Sequence, residues 1–155
     1  MNRLILIGNG FDLAHGLKTS YADFIYWYWK RRVNHFIHIA NSNVSDDGLC
    51  RLTTKVHYAW SEFFYERRFS LLNADGLSLY IMLMTNTGAY NMDFTPFFKA
   101  IHNSIETKKW VDIEEEYYRL LKEYSLVKPS EEDLKNLNLQ LQNIKKLLMD
   151  YLREI

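Results

Sequence analysis

The residues of this chain whose types and spacing fit chemistry are Gly8-Asn9-Gly10 and two side chains just beyond them, Asp12 and His15. Four apolar residues, Leu4 to Ile7, run straight into the glycines. A continuous apolar run this short reads as a strand buried on both faces. The glycines then allow a tight turn and let a ligand approach the backbone closely. A helix is expected to follow from Phe11 or Asp12. The first N–H groups of a helix lack partners and sit at the positive end of its dipole, so they attract phosphate. Gly8, Asn9, Gly10, Phe11 and Asp12 are therefore candidate cofactor-binding residues. A tight strand-to-helix turn with no ligand accounts for the same residues, and both readings stay open.

The pattern is also incomplete. A dinucleotide fingerprint has a third glycine where Leu13 stands, and the absence of a following Gly-Lys-Ser/Thr excludes a P-loop. A carboxylate at Asp12 suits the helix dipole but repels phosphate, which leaves it the roles of helix cap or ribose-hydroxyl acceptor. Asn9 tolerates positive φ and can donate to a ligand; turn geometry explains it equally. His15 follows Asp12 by three residues, so the two share a helix face. They are the candidate catalytic pair, with His15 as general base, against the plainer reading of a structural or surface histidine. A metal there would need ligands that the local sequence does not supply, so no metal site is expected.

Other polar residues point less far. Arg31-Arg32 and Arg67-Arg68 are basic pairs among aromatics, a combination that binds single-stranded nucleic acid by stacking and charge. Nineteen basic and nineteen acidic residues cancel, however, so no overall field draws in nucleic acid or an anionic membrane and neither is expected as a partner. His35, His38, His57 and His102 show no ligand spacing, and Glu114 to Glu116 read as a solvated acidic face. The single cysteine, Cys50, excludes an intramolecular disulfide and a multi-cysteine zinc site. The opening apolar run is too short for a signal peptide, and Leu79 to Met84 is too short to span a bilayer. A soluble cytoplasmic protein is the expectation.

A chain of 155 residues, 48% hydrophobic and 15% aromatic, fits one domain with a packed core. Tyr21 to Ile39 reads as an aromatic-rich helix, Asn41 to Gly48 as a loop, and Thr53 to Phe69 as a helix with Val56, Trp60, Phe63 and Phe64 on one face. Asn73 to Gly76 is a turn. Leu77 to Met84 fits strand or helix, since periodicity does not decide. Asn86 to Pro96 reads as a loop and Phe97 to Glu106 as a helix. Asp112 to Glu115 caps a helix reaching Tyr124, with a stripe of Ile113, Tyr117, Leu120, Leu121 and Tyr124. Ser130 and Asp133 cap the last helix. Its Leu134, Leu137, Leu141, Ile144, Leu148 and Tyr151 form a heptad-like seam over residues 130–155, which Leu139, Leu147 and Leu152 widen toward a core. The expected fold is α/β and helix-rich: a Rossmann-like strand, glycine turn and helix, with several helices around a small or incomplete parallel sheet.

These residues add up to a family. The run from Ile7 through Gly8-Asn9-Gly10-Phe11-Asp12-Leu13-Ala14-His15-Gly16-Leu17, with Thr19-Ser20-Tyr21 and Asp23-Phe24, resembles the N-terminal signature of AbiH-type bacterial abortive-infection proteins. Trp110-Val111-Asp112-Ile113-Glu114 resembles that family's second signature, a Trp-x-Asp-hydrophobic-Glu block. The resemblance implies anti-phage defence, in which an infected bacterial cell stops growing or dies. Members are usually about twice this length and carry a later Phe-Asn-Tyr-Thr motif that this sequence does not have. The resemblance therefore implies that the chain is the N-terminal half of a longer protein.

The family is in turn distantly similar to sirtuin-like NAD-binding domains, whose glycines can be aligned with Gly8, Gly10 and Gly16, and whose Phe can be aligned with Phe24. Asn9, Asp12 and Lys18-Thr19 depart from that pattern, and no arginine follows Phe24, so deacylase chemistry is not implied. What is implied is NAD or a related nucleotide as cofactor, with Thr19 and Tyr21 lining its ribose or base pocket. NAD glycohydrolase activity is implied for the longer protein, and none for this chain alone. The competing expectation is a non-catalytic helical sensor that pairs with itself or with a phage component.

Overall fold

In the computed structural model, which describes residues 16, 18–38, 44–54, 74–85, 90–108, 112–127 and 130–155, the aromatic run after Ser20 forms helix α1 (Tyr21–His38). Its buried residues are Phe24, Ile25, Tyr28, Trp29, Arg32 and Val33, pairs that recur every four residues and so make one inward stripe. Ser20 caps it: the Asp23 amide donates to Ser20 Oγ at 3.1 Å, and that hydroxyl donates to the Asp23 carboxylate at 2.5 Å. The expected opening strand, glycine turn and first helix fall outside the described residues, as do residues 55–69 of the helix expected over Thr53 to Phe69, with Arg67 and Arg68.

Among the described residues the sheet is antiparallel, which corrects the expected parallel, Rossmann-like arrangement. Three strands, β1 (Val44–Asp46), β2 (Cys50–Thr54) and β3 (Tyr90–Phe94), lie in the order β1-β2-β3. Val44 pairs with Thr53, and Cys50 pairs with Phe94. The physical reason is the connection. Only residues 47–49 join β1 to β2, and a link that short can join antiparallel neighbours only; parallel ones need a crossover. Gly48 takes φ +78° there, and the Asp47 carboxylate accepts the amides of Leu49 and Cys50 at 3.0 and 2.9 Å.

Two segments expected as loops thus hold strands, and Thr53-Thr54 end β2 instead of opening a helix. Tyr90, Met92 and Phe94 alternate with Asn91 and Asp93, a period of two hidden between Gly88 and Pro96. The short β1 is polar because it is an edge strand with little to bury.

Helix α2 (Gly76–Thr85) resolves the ambiguity at Leu77 to Met84 in favour of helix. Helices α3 (Pro96–Lys108), α4 (Ile113–Val127) and α5 (Glu131–Glu154) follow. Asp112 caps α4 as expected, accepting the Glu115 amide at 2.9 Å, and Ser130 with Asp133 forms a capping box on α5. The acidic start of α4 is not wholly solvated: Glu116 is buried, where it accepts the Ser104 hydroxyl at 2.5 Å and Arg119 Nε at 2.8 Å. On α5 the seam buries Leu137, Ile144 and Tyr151 together with Gln140, whose amide oxygen accepts the Phe97 amide at 3.1 Å and ties α5 to the start of α3. Leu139 and Leu152 face solvent instead of widening the seam. Among the described residues no helix is long and apolar enough to cross a membrane.

Candidate functional site

Of the site residues expected from the sequence, Thr19 and Tyr21 fall among the described residues, while Gly8, Asn9, Gly10, Phe11, Asp12 and His15 lie outside them, as does Trp110. Tyr21, at the first turn of α1, is half-buried. Its phenol is raised above its ordinary range by burial, then by the carboxylates of Asp112 and Glu114. The carboxylates at the start of α4 are therefore near enough to the start of α1 to act on Tyr21.

The segment is held from a third side. The Tyr151 hydroxyl of α5 donates to the Lys18 carbonyl, and burial with the nearby Asp23 charge lifts that phenol to about 12. Tyr151 also packs on Phe24 and Trp27, ring centroids 5.9 and 5.5 Å away. Trp27 donates from its indole N–H to Glu154 at 2.6 Å. Both links draw the last turn of α5 onto the first two turns of α1, so the approach to α1 is braced by side chains as well as by its own cap.

Beside this segment runs a groove of about 390 Å3, lined by Lys18 and Asp23, by Tyr26, Trp27 and Lys30 of α1, by Asp75, Gly76 and Leu77 at the start of α2, and by Tyr151 and Ile155. Aromatic faces with two lysines and two aspartates suit a planar ring that carries polar or charged groups. Lys18 and Asp23 lie on either side of Thr19 and Tyr21, the residues that the resemblance had marked. In sequence Tyr26 and Trp27 are parts of an aromatic helix, and Lys30 belongs to a basic cluster within it. Their i, i+1 and i+4 spacing puts them near one face, but which face meets α2 and α5 is not in the local sequence.

Among the described residues no three His, Cys, Asp or Glu side chains gather as a metal site. Cys50 is buried, and burial pushes its thiol up to about 12, which removes it as a nucleophile at neutral pH. His102 is buried among aromatic rings. Arg32, half of a basic pair among aromatics, is buried, donating to the carbonyls of Ser45 and Cys50.

A helix-rich α/β protein with a small three-stranded antiparallel sheet is the class that the described residues define. The family model described as bacteriophage abortive infection AbiH matches residues 4–154, nearly the whole sequence, and the chain belongs to that family. No curated protein and no solved structure matches it.

Proposed function

We propose that this member of the abortive-infection family binds NAD or a related nucleotide, with its phosphates over Gly8, Asn9 and Gly10 and its ribose or base toward Thr19 and Tyr21. The observation that supports this reading most is that Asp112 and Glu114, from the second signature block, are near enough to Tyr21 to act on its phenol. Carboxylates beside a phosphate-binding turn are suited to ribose hydroxyls. In a longer protein of which this chain is the N-terminal half, the reaction is glycosidic cleavage of NAD, which releases nicotinamide and starves the infected cell. The chain alone binds without cleaving. Isothermal titration with NAD and with ADP-ribose is expected to give saturable binding that Gly10→Val abolishes, because a side chain there fills the space needed by a pyrophosphate. Flat titrations with both the chain and the longer protein would remove the reading.

A second reading rests on a different observation. Leu139, Met149, Leu152 and Ile155 stand exposed along α5, each about half or more accessible, which suits a helix that meets a second copy or a phage component. Sedimentation across a hundredfold range of concentration is expected to show self-association that Leu152→Glu reduces. A strict monomer throughout would count against pairing with itself.

A further inference from the structure

One stripe of α1 carries Tyr28, Arg31, Arg32 and His35 at i, i+3, i+4 and i+7. It faces a cavity of about 320 Å3 closed by Asp47 of the β1–β2 turn and Leu147 of α5. On the floor, charge is already spent. Asp47 Oδ1 accepts the Leu49 and Cys50 amides, and Oδ2 accepts the Tyr28 hydroxyl at 2.8 Å with Arg32 Nε 3.5 Å away. Arg32, only 7% exposed, also donates to the Ser45 and Cys50 carbonyls at 3.2 and 3.0 Å. As a unit the buried pair is neutral, and its desolvation is offset by these bonds.

The rim differs. Arg31 has a side chain 52% exposed and reaches Asp150 at 3.4 Å, while Asp150 also lies 3.7 Å from Arg153. Arg31 thus shares its carboxylate with Arg153, which leaves it incompletely neutralised, and it also lies over the Trp27 ring at 5.2 Å; His35 stands exposed on the same rim. Cation and imidazole lie four residues apart on the helix, a rise of about 6 Å, which allows both to reach one tetrahedral anion. Leu147 supplies an apolar wall beside them.

We propose that this cavity is a phosphate site, taking the group either free or on a small molecule whose organic part lies against Leu147. Its volume is near the lower bound for ligand pockets and suits a sugar phosphate or nucleoside monophosphate better than a dinucleotide. The cavity shares no lining residue with the groove beside Lys18, and the proposal does not rest on the NAD reading.

Nuclear magnetic resonance titration of the whole 15N-labelled chain tests it, with AMP, ribose 5-phosphate, inorganic phosphate and adenosine as probes. The phosphorylated probes are expected to saturate with shifts at Arg31, His35 and Leu147, and adenosine to cause none there. Saturation by inorganic phosphate as tight as by AMP supports the site and makes the free ion its occupant; tighter AMP makes the ester its occupant. Substituting Arg31→Ala with His35→Ala, both exposed and away from the core, is expected to weaken AMP binding by roughly tenfold or more. Leu147→Trp is expected to block binding by filling the space with both basic groups in place. Equal binding of adenosine and AMP would overturn the proposal, as would unchanged AMP affinity in both variants. Binding of a single-stranded oligonucleotide without any of AMP would also overturn it, in favour of a polyanion surface. Gly10→Val should leave AMP binding at this cavity untouched, so failure here and failure of the NAD reading are distinguishable.

Discussion

Gly76→Ala is expected to lower the stability of the fold by about 3 kcal/mol, the scale of a severe overpacking change. Gly76 opens α2, and α2 packs along α1. A Cβ at this position would stand 2.5 Å from the Tyr26 carbonyl oxygen, 2.7 Å from its carbon and 2.9 Å from its Cβ. The first two are backbone atoms inside α1, so no side chain can swing aside, and the two helices must separate. Alanine is the better helix former by up to about 1 kcal/mol in a helix interior, and by less at a first turn. The steric term therefore wins. Asp75 caps α2 through Ser78, accepting its amide and its hydroxyl at 2.8 Å each, and this cap holds the helix start in place and limits relief by local fraying. Urea unfolding followed by circular dichroism reads the effect as a lowered midpoint at unchanged slope. A variant as stable as the native chain would mean that α1 and α2 part without cost, which would undo the close helix packing described above.

Acidification from pH 7.5 to 4 is expected to remove about 3 kcal/mol of stability through His102 alone. The imidazole is 3% exposed, and both ring nitrogens lack hydrogen-bond partners among the described residues. It is stacked on Tyr80 and Phe94 at 5.6 and 4.9 Å and meets Phe98 and Trp29 edge-on at 4.8 and 5.7 Å. Burial among rings lowers its pKa from 6.5 to about 4. The folded state thus binds this proton later than the unfolded chain does. Stability is full above pH 6.5 and falls as pH drops through that value, levelling off near pH 4, where the folded form protonates as well. Asp75 and Asp133 are held below their ordinary 3.8 by hydrogen bonds from Ser78 and Ser130, so their contribution is lost only in stronger acid. His102→Phe separates the two: the fall between pH 6.5 and 4 should vanish while acid unfolding below it persists. The same slope in both proteins would show that the proton goes elsewhere.

Much of the candidate site was legible as residues, and little of it as an arrangement. Thr19-Ser20-Tyr21 and Asp112 to Glu114 stand out by type and spacing, and the caps at Asp112 and Ser130 follow from short-range hydrogen bonding that local sequence encodes. That the charges of Asp112 and Glu114 reach Tyr21 depends on the tertiary arrangement of residues far apart in the chain. Arg32 shows the limit most clearly. In sequence it is the twin of Arg31, yet one is buried against Asp47 and the other is exposed beside Asp150. A step of one residue turns a side chain by about 100° around the helix, and the neighbours that each then meets come from the β1–β2 turn and from α5.

Helices α1, α3, α4 and α5 were readable in advance, because a period of 3.6 and a capping residue act within a few turns of chain. Family membership was readable too, since it rests on two short blocks in order. The antiparallel sheet was not: strand pairing is a contact between distant segments, and Asn86 to Pro96 has loop-forming residues at both ends of a strand. Nor was the burial of Glu116, Gln140 and His102, three polar side chains that local pattern assigns to solvent. Long-range packing put them inside, where the first two gain hydrogen bonds and the third is enclosed by aromatic rings that hold it neutral.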